Sequence, residues 1–123
     1  MAVRYRIVNR TRALPTPLWA TLCATWWCRF WGLMGRAALP PDQGLLFVWP
    51  RAGRWDTAIH MFGMRFDLAV VWLDDRRRVV DVRLARAWRS VLVPKAPARF
   101  VLELHPQRLT DFAEGDQIDW QRA

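Results

Sequence analysis

The stretch from Phe66 to Leu73 constrains this chain more than any other. It is strongly apolar, with Asp67 as its one charge, and it runs straight into Asp74-Asp75-Arg76. An apolar run of that length stopped by an acidic turn fits a strand, and Val79-Val80-Asp81-Val82-Arg83-Leu84 then alternates with period two. The two segments predict a β-hairpin, the clearest in the chain. By the same alternation, Asp81 is expected to face solvent.

Further short segments follow the same grammar. Val3 to Asn9 alternates apolar and basic side chains and reads as a half-buried strand. Leu45 to Trp49 is a continuous apolar strand expected to stop at Pro50. Ala58 to Met61 starts another, which Gly63 interrupts. Val91 to Val93 and Ala98 to Leu104 add two more, Leu109 to Ala113 reads as a helical turn or two, and Gly115 to Trp120 closes the chain as an edge strand. Regular helices do not separate these strands, which disfavours a parallel βαβ sheet.

One helix is expected. Thr16-Pro17 supplies an N-cap and a first-turn Pro, and Gly35-Arg36 ends the segment. On a helical wheel its apolar arc is about 200°, wider than a surface helix needs. Trp27 and Trp31, beside Arg29, are the positions expected to meet a covering loop, a partner or lipid. The fold class is therefore mainly β: a compact antiparallel β-sandwich or barrel of about seven or eight short strands, with one N-terminal amphipathic helix. A chain of 123 residues is one domain by length, taken here as 1–123.

Charge is distributed unevenly. The net charge is +8, and residues 1–41 carry six arginines and no acid. A basic third suggests anionic partners, a membrane surface among them. The arginines are spread out, however, and a solvated face that keeps the protein soluble is the simpler expectation. Nucleic acid is disfavoured, because the recognised small folds for that task have signatures this sequence lacks.

Two cysteines, Cys23 and Cys28, lie on the expected helix, where their directions diverge. Free thiols there fit a reducing cytoplasm. The apolar run from Leu18 to Cys28 is too short to span a bilayer and no cleavage site follows it, so the reading is cytoplasmic.

Landmarks now line up in order: Gly32-Leu33-Met34-x-Arg36, Leu39-Pro40, Gly44-Leu45-Leu46-Phe47-Val48, Ile59-His60-Met61-Phe62-x-Met64-Arg65-Phe66, Val70-Val71-Trp72-Leu73-Asp74, Val101-Leu102-Glu103-Leu104 and Gly115-Asp116. Together they resemble the uncharacterised bacterial and archaeal family DUF192, over about residues 3–120. The resemblance implies a mostly antiparallel β-sandwich or barrel with a short helical segment, no cofactor and no catalytic assignment. The family usually places a Pro and, two residues later, an Asp just before the apolar strand. Here those positions hold Asp67 and Ala69. The carboxylate sits two residues earlier, on the same strand face at another depth.

The residues support three kinds of chemistry. The first is binding: a pocket rimmed by Arg36, Trp55, His60, Met64, Asp67 and Glu103, with Trp49, Trp72 and Trp88 as further aromatic wall or core. Aromatic walls suit a small molecule, a sugar or a peptide. Glu103 alternates with Leu102 and Leu104, and Arg36 is its expected ion-pair partner. The second is a peripheral membrane or protein-partner surface through Trp27, Trp31 and Arg29. The third is a hydrolase or isomerase using His60 with Asp67 or Glu103. No nucleophile elbow, P-loop or dinucleotide fingerprint is present. A metal site at His60 and Met64 lacks further ligands in the sequence. The leading expectation is a non-enzymatic binding function without a cofactor.

Overall fold

A computed structural model describes residues 2–123. In chain order it contains β1 (Arg4–Asn9), β2 (Trp19–Cys23), α1 (Trp26–Trp31), β3 (Gln43–Gly53), β4 (Ile59–His60), β5 (Leu68–Leu73), β6 (Val79–Ala85), β7 (Val91–Leu92), β8 (Ala98–Leu104), a 3-10 turn (Pro106–Asp111) and β9 (Ile118–Arg122). Seven strands form one sheet in the order β6-β5-β8-β3-β2-β1-β9, and β4 pairs with β7 in a small second sheet. Every pairing in the large sheet is antiparallel except β2 with β3, which is parallel.

The large sheet curls into a half-barrel. Its outermost strands are β6 and β9, yet residues flanking them meet. Arg78 bridges Gln117, the Val79 amide donates to the Asp116 carbonyl at 2.9 Å, and the Ile118 amide donates to the Arg77 carbonyl at 3.0 Å. The concave face encloses Ile7, Leu46, Val71, Leu102 and Ile118, drawn from strands at both edges and in the middle. The convex face carries Leu45, Phe47, Val70, Trp72 and Val101, and residues between Leu33 and Met64 cover it.

β5 explains the opening feature of the sequence. All six of its residues are buried. Leu68, Val70 and Trp72 enter the convex cluster, while Ala69, Val71 and Leu73 enter the concave one. A strand covered on both faces needs no polar alternation. Trp72 is fully buried and its indole Nε1 donates to the Thr57 carbonyl at 2.8 Å. The hairpin to β6 forms as expected, with Asp74 accepting from the Arg76 and Arg78 amides at 2.9 and 3.0 Å.

The N-terminal helix expected from Thr16 onward is corrected. Residues 19–23 are a strand between β1 and β3, and only Trp26–Trp31 is helical. Two-sided sheet pairing outweighs a helical periodicity that had no clean polar face. Thr25, not Thr16, is the N-cap, accepting from the Cys28 amide at 3.1 Å, and Gly32 ends the helix at φ 50°. The same change overturns the reading of the cysteines. Cys23 lies at the end of a strand and Cys28 in the helix after a turn, with Cα atoms 5.4 Å apart, and they form a disulfide. Free thiols therefore no longer support a cytoplasmic location. No helix among the described residues is long and apolar enough to cross a membrane.

Smaller corrections have similar causes. β3 runs through Pro50 to Gly53, because its pairing with β8 breaks register between Val48 and Gly53 and leaves room for a residue without an N–H. The turn after β8 starts at Pro106 rather than Leu109. Asp81 is buried, not solvent-facing: Arg83 pairs with it at 2.9 Å and the Lys95 amide donates to it at 3.1 Å. Arg108 is also buried and ties distant segments together. It donates to the carbonyls of Pro41, Thr16 and Pro17 at 2.8, 3.0 and 2.6 Å, and pairs with Asp111 at 3.1 Å. Truncating a buried, fully engaged arginine leaves several polar groups unpaired, so this contact organises the loop between β1 and β2.

Candidate functional site

A cleft of about 350 Å³ opens on the convex side, between the sheet and the segment that covers it. Three elements build its walls. From α1 come Trp26, Phe30 and Trp31, with Trp26 and Phe30 stacked at 5.5 Å between ring centroids. From β3 come Phe47 and Trp49, stacked at 6.0 Å. From β4 and the turn after it come His60 and Phe62, stacked at 5.6 Å. Leu33, Met61 and Met64 are buried behind these walls.

The disulfide fixes the α1 wall to the end of β2. In the loop-entropy view, a bridge across so short a loop contributes roughly 2 kcal/mol. Arg29 adds a second tie. Its Nη1 donates to the carbonyls of Ala24 and Val48 at 2.7 and 3.0 Å, and its guanidinium lies 5.6 Å from the Trp49 ring centre. Two glycines keep the covering segment close. A Cβ on Gly63, which has φ 82°, would lie 2.9 Å from Met34 Cγ. A Cβ on Gly32 would lie 3.3 Å from Phe47 Cζ and 3.9 Å from Glu103 Oε1.

Glu103 is the polar feature of the floor. It stands in β8 opposite Leu45 and Val70, strand residues on either side, and is only 6% exposed. Among the described residues its carboxylate makes neither an ion pair nor a hydrogen bond. The expected pairing with Arg36 is absent, because Arg36 lies exposed beyond the helix and outside the cleft.

The structure brings together three of the residues singled out from sequence: His60 at the exposed rim, Met64 buried behind the walls and Glu103 on the floor. It does not bring in Arg36, Trp55 or Asp67. Trp55 is 74% exposed, with the Arg54 guanidinium 5.9 Å from its ring centre. Asp67 accepts from the Ala87 amide at 2.9 Å and lines a separate shallow pocket with Leu39 and His105. Arg29 and Trp31 line the cleft, whereas Trp27 points away from it and stacks on Trp31 at 6.2 Å. Sequence reasoning missed Trp26, Phe30 and Phe47. The overly long helix hid the first two, and Phe47 read as ordinary core.

Desolvation pushes the Glu103 carboxyl up from its ordinary 4.5 to about 8. Between those values the folded state holds a proton that the unfolded state releases, so stability falls as pH rises through that window and levels off above it. The full effect is at most about 5 kcal/mol. Glu103→Gln is expected to flatten this slope and to raise stability at pH 8 by about 2–4 kcal/mol, as read from urea unfolding at pH 5 and pH 8. An unchanged slope would show that the carboxyl is hydrated in the folded state.

Comparison with known proteins places this architecture. The model of the DUF192 family, described as an uncharacterised ACR, matches residues 7–120. A UPF0127 protein of Thermococcus gammatolerans is 40% identical over 93% of this chain and 74% of its own length. One from Thermococcus kodakarensis is 37% identical over 93% of this chain and 72% of its own. Among solved structures, a proposed transcription regulator of Sinorhizobium meliloti superposes with a TM-score of 0.83 at 19% identity, covering 98% of this chain and 94% of that one. A protein of unknown function from Novosphingobium aromaticivorans gives a TM-score of 0.76 at 20% identity, covering 97% and 85%. These structural likenesses speak for the fold alone. With its ordered landmarks matched from the first strand to the last, the chain belongs to the DUF192 family of uncharacterised proteins.

Proposed function

We propose that this protein binds a small amphipathic ligand in the aromatic cleft on the convex side of the half-barrel, without a cofactor. One observation carries the reading: a buried, unpartnered carboxyl, Glu103, on the floor of a cleft walled by aromatic rings. A buried acid without a partner is costly to keep, and such groups concentrate at functional sites. Aromatic walls with one convergent polar group form the usual composition of a small-molecule pocket. Binding is favoured over acid–base catalysis because Glu103 has no hydrogen-bonded base among the described residues, and Asp67 lies in another pocket.

A second reading has its own observation. Trp26, Trp27, Phe30 and Trp31 are 65%, 61%, 51% and 51% exposed, so a six-residue helix offers four bare aromatic rings. In a chain of net charge +8, such a face suits insertion into an anionic lipid interface.

A thermal-shift panel of sugars, nucleosides, amines and aromatic acids tests the first reading. A ligand at about 100 times its dissociation constant stabilises the folded state by roughly 2.7 kcal/mol. The shift is expected in the wild type and is expected to be lost in Phe30→Ala, whose side chain is exposed and whose removal spares the core. A shift that survives both Phe30→Ala and Glu103→Gln would place the ligand elsewhere. Co-sedimentation with vesicles containing phosphatidylserine tests the second. Binding is expected to fall when Trp27 and Trp31 are both replaced by Ala and when salt is raised. Equal binding to neutral and anionic vesicles would end that reading.

A further inference from the structure

We propose that the cleft selects an organic ammonium ion, an amine carrying an apolar or aromatic substituent, over neutral and anionic ligands of the same shape. This rests on the reading of the cleft as a ligand site and adds the chemical class of the ligand.

The distribution of unpaired acids points there. The chain has nineteen basic and eleven acidic residues, and a net charge of +8. Acids in such a chain are expected to find a basic partner, and most do. Asp75, Asp81, Asp111, Glu114, Asp116 and Asp119 form ion pairs. Asp67 and Asp74 accept backbone hydrogen bonds. Among the described residues only Asp42, Asp56 and Glu103 do neither, and two of those three line this one cleft. Asp56 is at the exposed rim and Glu103 is on the buried floor.

The rings around them act in the same direction. An aromatic face presents negative charge density, and a cation held over such faces next to a carboxylate forms the recurring site for ammonium ligands. Trp26, Phe30 and Phe47 are the rings that line the cleft for this role, since the Trp49 ring already carries the Arg29 guanidinium. The other charged or titratable groups at the cleft are Arg29 on α1 and His60 on β4. Arg29 is committed to the Ala24 and Val48 carbonyls and to the Trp49 ring, which keeps its donors off the floor. A lone buried carboxyl has two ways to be neutralised, by a proton or by a cation. Entry of an ammonium group replaces the first with the second, and the proton leaves to the buffer.

Isothermal titration with phenethylammonium and its neutral counterpart 2-phenylethanol, with phenylacetate as the anionic counterpart, tests this. At pH 7 the ammonium ion is expected to bind the wild type about tenfold tighter than the alcohol. Its heat is expected to vary with the ionisation enthalpy of the buffer, reporting the released proton. Glu103→Gln is expected to remove both the preference and the buffer dependence. Asp56→Asn, at the exposed rim, is expected to weaken the ammonium ion by only about twofold. Alcohol or phenylacetate binding as tightly as the ammonium ion, with binding still lost in Phe30→Ala, overturns the cation class and leaves the cleft a ligand site. Absence of binding by all three probes up to roughly millimolar concentration overturns both.

Discussion

The structure depends on a sheet that must bury both of its faces. β5 has no polar side, and β3 and β8 each carry a run of consecutive residues buried on both faces. The concave side buries itself by curling, with the chain at the two edges meeting near Arg78 and Gln117. The convex side has to be covered by something else. What covers it is mostly irregular: a six-residue helix, two-residue strands β4 and β7, and the turns around Gly32 and Gly63. Regular helices would seal a sheet face with close side-chain packing. A thin layer of short elements leaves a gap, and the cleft is that gap.

The position of Glu103 gains its meaning from this arrangement. Any residue of β8 on the convex side must pass beneath the covering layer. Val101 does so as ordinary core, while Glu103, two residues on, emerges under the cleft. The wall opposite is held by a covalent bridge and hydrogen bonds rather than by a large apolar contact. None of the residues of α1 is fully buried. The Cys23–Cys28 bridge and Arg29 fix the helix, and its aromatic side chains are left free to face the cleft and solvent. Rings that add nothing to the core are more simply explained by what they contact outside it.

How far the sequence reveals this depends on whether the deciding contacts are local. The β5–β6 hairpin was legible because an apolar run, an Asp turn and an alternating run lie next to one another. β8, the burial of Trp72 and the mainly β class were legible for similar reasons. β2 was not, because the strands that make it a strand, β1 and β3, are separated from it by loops. Its residues taken alone carry a helical spacing. That one error propagated: it joined two elements into one helix, set the cysteines on diverging directions, and hid Trp26 and Phe30 as candidate walls. For the cleft lining, His60 and Glu103 were legible from position along strands, while Met64 lies in the turn region after β4, where the expected strand does not continue. Arg36 and Trp55 were not excludable, because alternation gives the face of a residue and not its distance from a cleft. Asp81 shows a related limit: the β5–β6 register breaks beside it, so Val80 packs on the convex cluster and Val82 on the concave one, and Asp81 is buried where the Lys95 amide donates to it.

The central claim is that Glu103 is a largely buried, unpaired carboxyl facing a ligand cleft. The most direct measurement is a carbon-13 NMR titration of its side-chain carboxyl in the folded protein. The account predicts a midpoint near 8, moved downward when phenethylammonium saturates the cleft. A midpoint at the ordinary 4.5 that no ligand moves would contradict it, because it would place the carboxyl in water and leave the cleft without its polar floor.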